Sequence, residues 1–305
     1  MNNYLALALG IACAGLGGEF FIRGTIGLAR WLRVSAGIIG VTVTAFATSS
    51  PELSVAISSA LSGIPRIALG DALGSNVVNI ALILGLALIA GRIRSQRKDI
   101  KRDYWAAVLS PLVIGVLAID GVLSRVDGLL LLTAFTAWLI HVTVVARRQR
   151  SAAGEVLGEQ REWLAVVYGA MGLGLLIMAG RLIVSGASGL AAAMGIGSFI
   201  VGAAIVAFGT SVPELATVVI SRIRGHDEIG LNTVLGSNIF NGLWVIGVAA
   251  TICPIAFARW EVMAVLTFGI VTVGMTLPSR TGYVERWRGV VLLVLYGVFV
   301  FTTIR

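Results

Sequence analysis

One stretch of this chain occurs twice. Gly40 to Leu53 reads GVTVTAFATSSPEL and Gly202 to Leu215 reads GAAIVAFGTSVPEL. Each is followed by LGSN, at Leu73 to Asn76 and Leu235 to Asn238, and by a further asparagine three residues on, Asn79 and Asn241. A constant offset of 162 aligns 40–79 with 202–241 without a gap and gives 17 identities in 40 positions. Two unrelated apolar segments would share only a few. Self-similarity at a fixed offset marks duplicated structure. What is duplicated here is polar: hydroxyls, a proline and a glutamate in apolar surroundings.

Those surroundings have the composition of a lipid-embedded protein. Of 305 residues, 57% are hydrophobic and 12% charged, and the mean hydropathy is +0.95. A soluble domain carries about a quarter charged residues. At about 20 apolar residues per membrane-spanning helix, ten spans fit: 4–28, 37–60, 68–91, 104–119, 127–146, 162–185, 198–221, 229–251, 260–277 and 286–303. Proline, glycine and charge clusters separate them. Trp31, Tyr104, Trp105, Trp163, Trp260 and Trp287 fall near span ends, where an interfacial aromatic belt belongs. With the N-terminus outside, 17 of the 23 Lys and Arg lie on inner loops and 4 on the outer side, a strong positive-inside bias. The net charge of +8 is therefore read as topology and not as nucleic-acid binding. Cys13 and Cys253 lie apart, without the spacing of a zinc site or a disulfide scaffold. The first apolar run lacks a basic n-region, so no cleaved signal is expected.

The expected fold class is an all-α integral membrane protein with ten transmembrane helices. The first copy falls in spans two and three and the second in spans seven and eight. Five spans, an odd number, separate them, so the copies cross the membrane in opposite directions. This predicts two inverted five-helix repeats, 1–146 and 162–305, joined by a cytoplasmic linker, 147–161. Inverted repeats are typical of secondary transporters, whose substrate site lies near the midplane at the repeat interface.

Glu52 and Glu214 sit near the middle of apolar spans. A charge there costs about 2.5–3.5 kcal/mol on insertion scales, and no Lys or Arg lies in the repeat spans at comparable depth. A hard cation is the natural partner, since such ions take carboxylate, hydroxyl, carbonyl and amide oxygens. Thr48 and Ser49 stand four and three residues before Glu52, on one helix face; Thr210 and Ser211 repeat this before Glu214. Ser75 and Asn79 share a face of the next span, as do Ser237 and Asn241. Four such faces make a cage of six to eight oxygens, suited to calcium and also to sodium. Pro51 and Pro213 disrupt the preceding turn and loosen the carbonyls of Ala47 and Gly209.

The blander readings have less support. A single TSxPE could be a kinked helix with a protonated, hydrogen-bonded glutamate; two copies at matched depth argue against it. Asn76 and Asn238 are read as contacts between helices, Gly74 and Gly236 as points of close helix approach, and Glu19 with Arg23 as an i,i+4 pair. Gly186-Ala187-Ser188-Gly189 matches the GxSG of intramembrane serine proteases, but the histidines, His141 and His226, lie toward the inner side and Ser188 toward the outer. The chain is therefore not expected to be an enzyme.

The motifs GxxxxAFATSSPEL with ALGSNVVN, and GxxxxAFGTSVPEL with VLGSNIFN, resemble the two alpha repeats of the cation/calcium antiporter superfamily, and within it the small prokaryotic sodium/calcium exchangers. The resemblance covers most of the chain. It implies that Glu52 and Glu214 are the central carboxylates shared by calcium and sodium. Thr48 and Thr210 would complete the calcium site, and Asn79 and Asn241 would line the middle position. Ser49, Ser211, Ser75 and Ser237, with the carbonyls of Ala45 and Ala207, would form flanking sodium sites. Spans one and six would slide past a bundle that holds these groups, giving alternating access. Three departures stand out. Ala47 replaces a usual glycine. Both copies carry asparagine at the middle position, which leaves two formal negative charges and allows an electrogenic cycle. Leu231-Asn232-Thr233 departs from the pattern that Leu69-Gly70-Asp71 keeps. The expectation is a plasma-membrane, multi-pass sodium/calcium antiporter. It needs no cofactor besides its transported ions, no nucleic acid and no oligomeric partner beyond the lipid bilayer. A proton-coupled divalent exchanger is the alternative, since buried carboxylates without a cation hold protons. A channel is a third reading.

Overall fold

The computed structural model describes residues 3–63, 65–95, 97–152, 162–193 and 207–304. Among these, helices follow one another as ten rods. We label them α1 (Asn3–Leu32), α2 (36–61), α3 (Arg66–Ala90), α4 (Arg97–Leu117), α5 (Arg125–Ala152), α6 (Glu162–Ala193), α7 (207–223), α8 (Asp227–Ile252), α9 (Arg259–Gly274) and α10 (Arg286–Ile304). By length and apolar composition alone, four qualify as membrane spans: Asn3–Leu32, Arg66–Ala90, Arg125–Ala146 and Asp227–Ile252. The bent pair in α2 brings the number to five.

Several expected boundaries move. α4 begins at Arg97 instead of 104, because Lys98, Asp99, Lys101, Arg102 and Asp103 are compatible with a polar helical entry as well as with a loop. α5 continues to Ala152, so the expected linker 147–161 starts as helix, and 153–161 lies outside the described residues. α9 ends at Gly274, three residues early. The first part of the expected seventh span, 198–206, also lies outside the described residues.

α2 and α7 are broken at equivalent places. Ser49 leaves the helix with φ −85° and ψ 10°, and Ser211 with φ −85° and ψ 5°. The helices that restart, Ser50–Leu61 and Val212–Ile223, carry Pro51 and Pro213 in their first turn, where a missing N–H has no helical partner to lose. The two parts of α2 meet at 42°. π-helical turns run through Gly40–Thr44, Val78–Leu84 and Phe240–Val245; such bulges are frequent at functional sites. The second residues of the last two are Asn79 and Asn241.

α3 and α8 form the centre, each 78% buried over its apolar window, whereas α5 is 17% buried and lies at the rim. On α5, Val126, Leu129, Leu130, Ile140 and Val144 are exposed, an apolar surface of the kind that faces a membrane or a protein partner. Trp31, Trp163, Trp260 and Trp287 are exposed at helix ends, and Trp105 is exposed within α4, whose earlier start leaves it nine residues in. α1 and α6 pack along most of their length. A Cβ on Gly24 would fall 2.4 Å from the Gly169 nitrogen, and one on Gly172 would fall 2.4 Å from the Phe21 nitrogen, so the two backbones are in direct contact.

The all-α expectation omits two minimal antiparallel ladders. We label β1 (Ile93–Arg94), β2 (Val122–Leu123), β3 (Ile255–Ala256) and β4 (Tyr283–Val284). β1 pairs with β4 through Ile93 and Val284, and β2 with β3 through Leu123 and Ile255. They clip the loop after α3 to the loop before α10, and the loop after α4 to the loop after α8.

Candidate ion site

Both breaks point into a polar interior where α2, α3, α7 and α8 meet. Glu52, Glu214, Thr48, Ser49, Ser75, Asn79, Ser237 and Asn241 are completely buried, Ser211 almost so, and Thr210 is 8% exposed. The sequence expectation placed each glutamate beside the hydroxyls of its own helix. The structure crosses them. Ser49 Oγ of α2 donates to Glu214 Oε1 of α7 at 3.3 Å, and Ser237 Oγ of α8 donates to the same oxygen at 3.1 Å. The break at Ser49 is the reason: it ends the helical register that would have stacked Thr48 over Glu52.

Two sets of the remaining contacts come in pairs with the same offset as the sequence. Thr48 Oγ1 lies 3.4 Å from Ser237 Oγ, and Thr210 Oγ1 lies 3.4 Å from Ser75 Oγ. Asn76 Nδ2 donates to the Asn238 carbonyl at 3.2 Å, and Asn238 Nδ2 donates to the Asn76 carbonyl at 3.0 Å, across a separation of 162 residues. These asparagines join α3 to α8, as the sequence reading had it. Asn79 Nδ2 donates to Asn238 Oδ1 at 3.2 Å. The Ala45 carbonyl accepts from Ser49 N at 3.0 Å and Thr48 Oγ1 at 3.3 Å; the Ala207 carbonyl accepts from Ser211 N at 3.3 Å and Thr210 Oγ1 at 3.0 Å. Both carbonyls therefore already serve local donors.

Much of this interior lacks partners. Both carboxylate oxygens of Glu52, Oε2 of Glu214, Oδ1 of Asn79, both polar atoms of the Asn241 amide and Ser211 Oγ are buried without a hydrogen bond. None of the ion pairs among the described residues involves either glutamate. A carboxylate buried in this way costs several kcal/mol, and native proteins leave few such groups without a reason. The set is almost entirely oxygen, which matches the preference of hard cations such as calcium and sodium over that of softer metals.

A third acid enters the same cluster. Asp71 on α3, 8% exposed, accepts from Thr210 Oγ1 at 3.3 Å, and its Oδ2 has no partner. Asp71 and Glu214 both act electrostatically on Glu52. The expectation of two formal charges thus undercounts the acids gathered here. The available signal was its spacing, since Asp71 stands four residues before Ser75 on one helix face.

The glycines divide unexpectedly. A Cβ on Gly236 would meet the Val41 carbonyl oxygen at 2.5 Å and Ala45 Cβ at 2.7 Å, whereas one on Gly74 would meet only Ala207 Cβ, at 3.9 Å. Close approach holds for the second copy and not for the first. Glu19 does pair with Arg23, at 2.5 Å, and it also holds Arg224, which follows α7. His141 is exposed on α5, and His226 Nδ1 lies 3.4 Å from Glu228. The Ser188 side chain lies outside the described residues.

The family profile described as sodium/calcium exchanger protein matches the chain twice, over residues 2–144 and 164–305. The chain is 35% identical over 236 residues to the inner membrane protein YrbG of Escherichia coli K12, covering 74% of this chain and 73% of that one. It is 26% identical to the sodium/calcium exchanger MaX1 of Methanosarcina acetivorans, covering 97% of each. Among solved structures, it is similar to the sodium-calcium exchanger NCX_Mj in a form soaked with 2.5 mM Na+ and 10 mM Sr2+, with a TM-score of 0.83, 27% identity and 97% coverage of each chain.

Proposed function

The chain belongs to the sodium/calcium exchanger protein family of membrane antiporters, and from this membership we propose that it exchanges sodium for calcium by alternating access, with Glu52 and Glu214 as the central ligands. The observation that carries this reading is the set of buried, unpartnered carboxylate and amide oxygens of Glu52, Glu214, Asn79 and Asn241. Thr48 and Thr210 complete the central cage. Ser49, Ser211, Ser75 and Ser237, with the carbonyl oxygens of Ala45 and Ala207, flank it. Each of those carbonyls serves a backbone N–H and a threonine hydroxyl, so a cation adds to it when the hydroxyl of Thr48 or Thr210 turns its proton to another acceptor.

We read the ten rods as ten spans in two inverted halves, 1–146 and 162–305, with 147–161 as a cytoplasmic linker and the N-terminus outside, in the plasma membrane. Three observations support this topology. The family profile matches each half separately. The β1–β4 ladder joins two loops that the basic-residue count assigns to the inside, and the β2–β3 ladder joins two assigned to the outside. The reciprocal bonds of Asn76 and Asn238 are those of a two-fold contact.

Alternating access requires one unit to move against another. α1 and α6, in backbone contact through Gly24 and Gly172, form the natural moving pair. α2, α3, α7 and α8 hold the ligands, and their crossed bonds keep the cage together while the pair moves. The protein's work is positioning and desolvation of ions, with no covalent chemistry.

The test is uptake of radiolabelled calcium into sodium-loaded proteoliposomes diluted into sodium-free buffer, with a parallel arm driven by a proton gradient. Uptake in the sodium arm alone is the expected result. Uptake in the proton arm alone would replace sodium by protons as the coupling ion, and single-channel currents would overturn exchange altogether.

A further inference from the structure

The two flanks of the cage are built alike but charged differently. One flank joins Thr48 Oγ1 to Ser237 Oγ and the Ala45 carbonyl. The other joins Thr210 Oγ1 to Ser75 Oγ and the Ala207 carbonyl. The position that stands one helical turn before the serine differs. Before Ser237 it is Thr233, buried, with its hydroxyl unpartnered; before Ser75 it is Asp71. The flanks also differ in how they use the glutamates. Ser237 gives its proton to Glu214, and Ser49 does the same, so Glu214 is tied to the Thr48 flank. Ser75 makes no such bond to Glu52, whose two oxygens have no close hydrogen bond and feel the Thr210 hydroxyl of this flank only at longer range.

Resting on the exchange reading above, we propose that Asp71 is a third ion-binding carboxylate, which supplies the negative charge of the Thr210 flank and makes that flank the tighter of two inequivalent sodium positions. Thr210 Oγ1 is the centre of this flank, with Asp71 Oδ1 at 3.3 Å, the Ala207 carbonyl oxygen at 3.0 Å and Ser75 Oγ at 3.4 Å. A hydroxyl has one proton and two lone pairs. It can donate to one of these three acceptors while its lone pairs face a cation bound beside it. Asp71 keeps Oδ2 for that same cation. Glu52 is then left with both oxygens for the central divalent ion. On the Thr48 flank the charge comes from Glu214, shared with the central position. An acid dedicated to one flank strengthens a monovalent ion there without adding to the ligands of the central ion.

The experiment is a titration of thermal stability of the purified full chain in detergent, since an ion that binds the native state raises its melting temperature. Sodium chloride and calcium chloride are titrated separately into wild type, Asp71→Asn and Asp71→Ser, with choline chloride as the ionic-strength control. Both neutral variants are expected to raise the sodium midpoint by about tenfold or more, the effect of removing one nearby unit charge at high effective dielectric, and to raise the calcium midpoint by a smaller factor, since Asp71 is a ligand of its flank and not of the central ion. Moving the acid across, in Asp71→Asn/Thr233→Asp, is expected to restore most of the sodium response. A sodium midpoint unchanged in both neutral variants overturns the proposal, as does an equal shift for both ions, the result of a purely structural role. A wild type that responds to both ions but exchanges neither in vesicles would overturn the exchange reading while leaving this inference standing. A wild type indifferent to sodium would overturn this inference.

Discussion

Replacing Glu214 by glutamine is predicted to change activity and stability in opposite directions. Glu214 is fully buried, and only Oε1 is hydrogen bonded, by Ser49 and Ser237. The amide oxygen of glutamine can take over both of those bonds, so the packing survives. What disappears is one unit of charge. At 4 Å and an effective dielectric of 20, a unit pair is worth about 4 kcal/mol, and twice that for a divalent ion. The amide oxygen recovers part of this by ligating, so a net loss of at least about 3 kcal/mol, or 100-fold in affinity, is a conservative expectation. Calcium uptake by reconstituted Glu214→Gln should therefore fall below about one-hundredth of wild type. Its melting temperature in ion-free detergent should be equal or higher, because a buried, partly unpartnered carboxylate is itself destabilising. Wild type should then overtake the variant as calcium is added, since only wild type gains from binding. Wild-type exchange in Glu214→Gln, or a variant that melts below wild type without ions, would refute the reasoning.

Two further outcomes follow from the packing. Gly236→Ala should lower stability by about 1–3 kcal/mol through overpacking, whereas Gly74→Ala, with nothing nearer than 3.9 Å, should be close to neutral; paired thermal melts in detergent decide, and equal effects would contradict the geometry. The pair of Glu19 on α1 with Arg224 after α7 is half exposed on the arginine side, so Arg224→Gln is worth about 1 kcal/mol at most; turnover in vesicles should change by less than about fivefold, and loss of exchange would show that this contact does more than bias the position of α1.

The duplicated motif pointed to most of the buried polar cluster because polar groups in apolar spans are conspicuous and their repetition fixes their equivalence. Thr48, Ser49, Glu52, Ser75 and Asn79, with their counterparts, do converge in one buried cluster. Their connections were not legible. Spacing along one helix describes neighbours on that helix, and the break at Ser49 removes even that. The crossing of Ser49 to Glu214 depends on how the two copies face each other, which no local pattern encodes. Asp71 was noticed only as part of the pattern from which Leu231-Asn232-Thr233 departs, because a lone acid five residues after Arg66 looks like the polar end of a span. The ladders at Ile93 and Val122 are two residues long, too short for alternation to be detected. Gly74 and Gly236 carry the same local sequence, LGSN, and differ only in what packs against them.

The reciprocal bonds of Asn76 and Asn238 are those of an isologous contact, in which each residue meets its own counterpart, as at the interface of a symmetric homodimer. A dimer of two identical half-length chains could build that contact, but its symmetry would impose a condition. Every residue on one flank would have to appear on the other, so an acid at the position of Asp71 would be present twice or not at all. Covalent fusion removes the condition: one copy carries Asp71 while the other carries Thr233. A single chain can thus keep the architecture of a two-fold assembly and still vary the two flanks of its candidate ion site one at a time.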